Sequence, residues 1–110
     1  MGERHDLLKS NIDSLLLCLV RDQAMYGYQI IKELEKRSQG YFKFKEGTLY
    51  PALHRLEKNG WISGNWQVLQ NGQPRKYYKI TEKGLETLAE KQSGWVEFYN
   101  AMNMIIRADS

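Results

Sequence analysis

The sequence predicts a mainly α-helical protein that contains one small β-hairpin. Along most of its 110 residues, apolar side chains recur at intervals of three and four, which is the spacing of one face of an α-helix. The exception is segment 61–81, where two runs rich in aromatic and β-branched residues flank the turn-forming sequence Gln70-Asn71-Gly72-Gln73-Pro74. A chain of this length, with 42% hydrophobic residues, fits one globular unit.

Three helices are predicted ahead of the hairpin. Leucine and isoleucine recur at helical spacing over residues 7–21, over residues 28–37 and again over residues 48–60. Pro51 is compatible with the third helix only in its first turn, where no intrahelical hydrogen bond is lost. Gly60 supplies the signal that ends this helix.

The second strand of the hairpin, residues 75–81, separates two kinds of side chain. Successive residues of a strand point to opposite sides of the sheet. One face therefore has Lys76, Tyr78 and Ile80, and the other has Arg75, Tyr77 and Lys79. We expect one face to pack against the helices and the other to present cations.

A fourth, long helix is predicted to begin near Thr81, which is a suitable N-cap. Its apolar residues alternate at three and four positions, interrupted once by Gln92, and form a narrow seam: Leu85, Leu88, Trp95, Tyr99, Met102 and Ile106. Such a seam is typical of a helix that packs on another helix. The chain is accordingly divided into a domain of residues 1–82 and a helix of residues 83–110.

We expect this seam to form a homodimer contact. The predicted contact residues come from the first and last helices: Leu8, Ile12, Leu88, Gln92, Trp95, Tyr99, Met102 and Ile106. About three heptad repeats are short for a free coiled coil, so the first helix would have to brace the contact. The alternative is that the last helix folds back on its own core.

The charges are distributed unevenly along the chain. The formal net charge is only +3, but residues 41–83 have eight Lys and Arg against three Asp and Glu. A basic excess confined to one segment is typical of a protein that binds a polyanion. The alternative is an ordinary solvated, lysine-rich face, and the position of the cations in the fold has to decide between the two.

Several classes of function are excluded by what the sequence lacks. Cys18 is the only cysteine, so neither an intramolecular disulfide nor a cysteine-based metal cage is possible. The two histidines, His5 and His54, lie far apart, and no catalytic or phosphate-binding motif is present. The sequence has no apolar run near 20 residues and no signal pattern, so we expect a cytoplasmic protein that does not contact a membrane. We also expect that it is not an enzyme and that it binds neither a cofactor nor a metal.

Three helices followed by a basic hairpin are the layout of a winged helix-turn-helix. In that fold the third helix enters the major groove and the hairpin touches the flanking DNA backbone. Because Leu49, Leu53 and Leu56 face inward, the outward face of the third helix is polar and basic. It has Thr48, Tyr50, Pro51, His54, Arg55 and Lys58. Double-stranded DNA is therefore the predicted partner.

Three stretches of the sequence point to one protein family. They are the YGYQI sequence at residues 26–30, the sequence GTLYPALHRLEKNGWI at residues 47–62 and RKYYKITEKG at residues 75–84. In this order, and with a single C-terminal helix, they closely resemble the PadR family of bacterial transcriptional regulators, in particular its short subfamily. The resemblance covers nearly the whole chain. It implies a dimer that binds an inverted-repeat operator and represses a neighbouring transporter or stress gene.

The resemblance also implies which residues contact DNA. By position these are Thr48, Tyr50, His54, Arg55 and Lys58 in the recognition helix and Arg75, Lys76 and Tyr77 in the wing. His54 and Arg55 are the expected base readers, whereas the hydroxyls of Thr48 and Tyr50 are better suited to fixing the backbone register. For Tyr50 and Tyr77, half-buried packing with the hydroxyl in water is an equally good interpretation.

A ligand site is implied by the multidrug-sensing relatives in the same subfamily. In those proteins a tryptophan of the terminal helix lines a hydrophobic pore at the dimer centre, and Trp95 matches it, with Tyr99 one turn away. An indole face binds planar aromatic and cationic compounds, so a planar aromatic or hydrophobic inducer is the predicted ligand. The alternative is that Trp95 only fills the dimer interface.

A different class of function is compatible with the same fold. A winged helix can serve as a protein interaction module that has no operator of its own, because fold does not determine function. The location of the basic excess on the third helix and the hairpin favours the DNA-binding interpretation.

Overall fold

The computed structural model describes the backbone of residues 2–107 and the side chains of residues 11–107. The elements follow one another as α1 (Gly2–Asp22), β1 (Met25–Tyr26), α2 (Gly27–Arg37), α3 (Glu46–Lys58), β2 (Ile62–Val68), β3 (Pro74–Ile80) and α4 (Glu82–Ile106). The predicted fold class, mainly helical with a small sheet and a long last helix, is confirmed. The side chain of Leu8, one of the expected dimer residues, lies outside the described residues.

The core is formed where α1, α2 and α3 turn their apolar faces toward one another and toward the sheet. Leu16 and Leu17 of α1, Ile30 of α2 and Leu53 of α3 are all completely buried. Burial of each such side chain stabilises the fold by about 2 kcal/mol relative to exposure. Of the described residues, no polar or charged side chain lies inside this core.

The sheet has three strands, one more than the sequence predicted. Met25 and Tyr26 form a two-residue strand that pairs antiparallel with β3, so the strand order is β1-β3-β2. Met25 lies opposite Tyr78, and both are buried. Two residues are too few to show a strand period, which explains why this segment was predicted only as a break between helices.

The faces of β3 agree with the predicted alternation. Tyr78 is buried and Ile80 packs at the edge of the core, whereas Lys79, on the opposite face, is exposed. Lys76 shares the packing face with Tyr78. One of the cations in the wing is therefore directed toward the helices.

The prediction for Pro51 was wrong. The third helix begins two residues earlier than expected, at Glu46, so that Pro51 lies in the second turn. Because proline has no backbone N–H, the carbonyl of Gly47 does not receive the hydrogen bond that it would accept in a regular helix. The start of α3 is exposed, so water has access to that carbonyl.

The junction between the sheet and α4 is tightly built. The predicted N-cap is confirmed, because the backbone N–H of Gly84 donates to Thr81 Oγ1 at 3.0 Å. The same hydroxyl donates to the carbonyl of Gly60 at 2.6 Å. A side chain on Gly84 would overlap the backbone carbonyl of Trp61. The first turn of α4 is thus held directly against the end of α3.

Beyond Leu88, α4 leaves the body of the protein. From Ala89 to Ile106 every residue except Asn103 is exposed, and the molecule measures 60 × 30 × 20 Å. The predicted division between residues 82 and 83 falls in the first turn of α4, which belongs structurally to the body.

Replacing Gly84 by alanine is expected to destabilise the protein. The added methyl group would meet the Trp61 carbonyl, which belongs to the backbone and has little freedom to move, so we expect a loss of about 2 kcal/mol in the free energy of unfolding. Urea unfolding followed by circular dichroism, at one fixed protein concentration, measures it.

The matched control is Gly47→Ala, also in a first helical turn. Beyond the adjoining backbone of α3 itself, no atom lies within 4 Å of the position that a methyl group on Gly47 would take, so stability should be unchanged or up to about 1 kcal/mol higher. A Gly84→Ala variant as stable as this control would show that the close approach of α4 to Trp61 is not a constraint.

Candidate nucleic-acid interface

The predicted recognition residues of α3 lie on its outward face. Leu49, Ala52, Leu53 and Leu56 are buried, and the opposite side of the helix is exposed. The exposed set comprises Thr48, Tyr50, His54, Arg55 and Lys58. The structure therefore places all five residues at the surface, although their immediate surroundings differ.

Arg55 faces α1. Its Nη2 donates to Asp13 Oδ1 at 2.5 Å, and the arginine side chain is half-exposed while that of Asp13 is mostly covered. By contrast, His54 and Lys58 form no side-chain hydrogen bond or ion pair with any residue in the described part of the chain. Of the three basic side chains on α3, His54 and Lys58 are directed freely into solvent.

Tyr50 packs across the start of α2. A methyl group placed on Gly27 would lie 2.5 Å from the Tyr50 hydroxyl and 2.8 Å from its ring. The glycine of the YGYQI sequence therefore leaves room for this ring. Tyr50 remains 44% exposed, so it both packs and presents one edge to solvent.

The guanidinium of Arg75 lies over an aromatic ring. Its guanidinium lies 4.0 Å from the centroid of the Tyr26 ring, and Tyr26 in turn makes an edge-to-face contact with Tyr77 at 5.5 Å. Stacking fixes the plane of a guanidinium while leaving its N–H groups available at the edge. Sequence reasoning missed Tyr26 because it belongs to the short strand β1.

Lys76 has a different environment. Its Nζ donates to Glu57 Oε1 at 2.9 Å and lies 5.4 Å from the centroid of the Tyr78 ring. The hydrogen bond to Glu57 raises the pKa of Lys76, and desolvation acts in the opposite direction. Burial raises the pKa of Tyr78, partly offset by the charge of Lys76. Both side chains thus remain protonated at neutral pH.

The outer part of the hairpin also has exposed apolar side chains that the sequence analysis did not single out. Trp66 and Val68 lie on the same sheet face as Lys76, and both are largely exposed. The sequence predicts only that both residues belong to a strand, because strand periodicity does not reveal which part of the strand extends beyond the core.

A groove of about 680 Å³ lies between α1 and α4. Its lining is mainly apolar and includes Leu15, Cys18, Phe42, Gln92, Trp95 and Val96. Trp95 is 54% exposed and its ring is stacked on that of Tyr99, with 5.5 Å between centroids and 5° between planes. The two predicted ligand residues are therefore neighbours, and Trp95 borders the groove.

The expected dimer residues fall into two groups. Ile12 and Leu88 are only 7% and 2% exposed, because α1 and the start of α4 pack against each other. The beginning of α4 therefore packs on the core of its own chain, as the alternative to a dimer contact predicted. The other seam residues are exposed: Gln92, Trp95, Tyr99, Met102 and Ile106. Phe98 and Ile105 add exposed apolar area beside them.

Two further observations concern the described part of the chain. None of its helices combines the length and the hydrophobicity needed to cross a bilayer. No three His, Cys, Asp or Glu side chains of the described residues come together as a group that could hold a metal ion.

Comparison with known proteins identifies relatives along most of the chain. It is 34% identical over 103 residues to an uncharacterized protein of Lysinibacillus sphaericus, which is 94% of each chain. A transcriptional regulator from Clostridium thermocellum superposes with a TM-score of 0.81 and 32% identity over 89% of this chain and 95% of that one. Bacillus subtilis PadR, solved in complex with operator DNA, shares the fold with a TM-score of 0.68 and 22% identity, over 74% of this chain and 47% of that one.

Residues 16–90 match the family described as the transcriptional regulator PadR-like family. The match includes α2, α3 and the hairpin, where the three sequence stretches of the resemblance lie. It confirms the predicted family and, with it, the prediction of a transcriptional regulator rather than an enzyme. The protein belongs to the PadR-like family of transcriptional regulators.

Proposed function

We propose that the protein is a cytoplasmic, homodimeric repressor that binds an inverted-repeat operator in double-stranded DNA. The observation that carries this proposal is the position of three basic side chains that have no acidic partner among the described residues. His54 and Lys58 on α3 and Arg75 on the wing are presented at the surface without an acidic partner in the described part of the chain. A recognition helix and a wing with such residues suit the major groove and the adjacent phosphates.

The proposed contacts have different roles. His54 and Arg55 read base edges, Lys58 and Arg75 bind phosphates, and the hydroxyls of Thr48, Tyr50 and Tyr77 fix the register. Arg55 reaches the duplex by leaving Asp13, since a half-exposed ion pair contributes little free energy and a guanine edge offers two acceptors in return. The ammonium of Lys76, by contrast, faces Glu57.

The competing proposal is a winged helix that binds another protein. Phosphate binding distinguishes the two, because it releases counterions and therefore weakens steeply as salt rises. Binding to another protein releases no such counterions from phosphates, so we expect its affinity to depend much less on salt.

Alanine substitutions in α3 should separate base reading from phosphate binding. We expect Arg55→Ala to reduce discrimination between operator and random DNA by about 1 to 3 kcal/mol, and Lys58→Ala to weaken both alike while lowering the salt slope by about 1. Gel-shift titrations at about 50 and about 200 mM salt, on a site selected from random duplexes, measure both quantities.

The matched control is Lys36→Ala, which removes the same charge from the exposed last turn of α2. It should leave affinity and slope unchanged. Equal losses on operator and random DNA for Arg55→Ala would reject its role as a base reader, and salt-insensitive binding by the unaltered protein would reject the DNA-binding proposal.

The proposed dimer forms through the exposed part of α4. A helix that leaves the body with Trp95, Tyr99, Met102 and Ile106 on one side exposes a contiguous apolar stripe, which soluble monomers seldom do. A second copy packed along this stripe would bury it. Heptad spacing fits an identical helix as the partner.

Two methionines on opposite sides of α4 allow a matched test of this contact. Met102 lies on the seam and Met104, two residues further on, lies on the other side of the helix. We expect Met102→Glu to convert the dimer to a monomer, because it buries a carboxylate in the contact, and Met104→Glu to leave the dimer intact. Light scattering after size exclusion reports the mass; a dimeric Met102→Glu variant would exclude the seam.

We also propose that a planar aromatic or hydrophobic inducer binds at the groove beside Trp95. The groove volume of about 680 Å³ is within the usual range for small-molecule sites, and the exposed indole offers a face for stacking. The competing role of Trp95 is to fill the dimer contact.

Tryptophan emission should report such a ligand. We expect micromolar planar cationic dyes to quench the emission of the unaltered protein and of Trp66→Phe, whose indole is on the hairpin, but not that of Trp95→Phe. Unchanged emission across a panel of such dyes, or equal quenching in all three proteins, would reject the site.

A further inference from the structure

Lys76 occupies an unexpected place for a cation of the wing. Its Nζ–Oε1 bond of 2.9 Å to Glu57 links β3 to α3, and the two side chains are only 26% and 31% exposed. The ammonium also lies 5.4 Å from the ring centroid of Tyr78 and 5.8 Å from that of Trp66. A carboxylate and two aromatic rings thus lie around the ammonium.

The space for this ion pair comes from a missing side chain. Gly64 of β2 lies opposite Tyr78 on the same sheet face. A Cβ atom at position 64 would overlap Lys76 Cε and lie 3.0 Å from Glu57 Oε2. Any larger residue there would force the lysine side chain out of its present position, so the observed arrangement of the ion pair involves three residues from three elements.

The outer hairpin has few other links to the recognition helix. Among the described side chains, Lys76 is the one residue of segment 65–77 that forms a hydrogen bond or ion pair with α3. Arg75, the adjacent residue on the opposite face, is held by Tyr26 and not by α3. Lys76 and Glu57 therefore link the outer hairpin to α3, in addition to the packing of the base of the sheet on the core.

We infer that Lys76, Glu57 and Gly64 form a strut that sets the angle between wing and recognition helix, and that Lys76 assists DNA binding as a positioning residue instead of as a phosphate ligand. This inference rests on the proposed function, since the angle matters because α3 and Arg75 must reach the same duplex. It assigns Glu57, an acidic residue in a DNA-binding surface, a positive role in binding.

Reversal of the ion pair tests the strut. Lys76→Glu and Glu57→Lys alone each place like charges together and should weaken operator binding about tenfold, within the range of coupling between contacting residues. The double variant restores the pair, and its net charge equals that of the unaltered protein. We expect its affinity to return to within about threefold and its salt slope to be unchanged. Circular dichroism and thermal unfolding show that each variant is folded.

A phosphate ligand would behave differently. If Lys76 bound DNA directly, the double variant would stay as weak as Lys76→Glu, and Lys76→Met would lower the salt slope by about 1. Either result overturns the strut while the proposed function stands. If the unaltered protein showed no salt-sensitive DNA binding, the proposed function would fail and the inference with it.

Gly64→Ala provides a second variant that removes no charge. By displacing Lys76 from Glu57 it should weaken operator and random DNA alike, by about as much as Lys76→Met, with the salt slope unchanged. Ser63→Ala, the preceding residue of β2, lies at the base of the hairpin opposite Lys79; it is the matched control and should bind like the unaltered protein. Normal binding by Gly64→Ala would argue against the strut even if the charge reversal succeeded.

Discussion

The burial of one face of α3 is the constraint on which the rest of the structure depends. Leu49, Leu53 and Leu56 are completely buried, and each contributes about 2 kcal/mol that would be lost if the helix rotated about its axis. No exposed ion pair on the opposite face is strong enough to offset such a loss. The side of α3 on which His54 and Lys58 lie is therefore determined by the core and not by these two residues.

The two sides of α3 then determine which cations remain available. On one side Arg55 meets Asp13 of α1, and on the other Glu57 meets Lys76 of β3. These pairs link the helix to its neighbours at both edges, while Lys58 has no ion-pair partner within the described residues. The basic excess of residues 41–83 thus has two components. Arg55 and Lys76 have acidic partners, whereas Lys58 and Arg75 have none among the described residues.

The sequence was sufficient for features that depend on periodicity and insufficient for those that depend on distant pairs. Helical spacing predicted the inward face of α3, and alternation predicted that Tyr78 packs and Lys79 is exposed. Strand β1 was missed because two residues have no period. Arg55 and Asp13 are 42 positions apart, and Lys76 and Glu57 are 19 apart, so neither pair leaves a local signal. Helical spacing also placed Leu88 and Trp95 on one seam of α4. It could not show that only Leu88 is buried by its own chain.

The junction at the start of α4 connects the two halves of the proposed function. The Thr81 hydroxyl donates to the carbonyl of Gly60, the second residue after α3, and Gly84 lies against the carbonyl of Trp61. Because both contacts involve backbone atoms at the end of the recognition helix, the axis of α4 is fixed relative to α3 without a flexible linker. In a dimer formed through α4, the separation and the relative orientation of the two recognition helices would follow from this junction. A two-fold axis between the α4 helices would then require an operator of the same symmetry, with a half-site spacing determined by the protein.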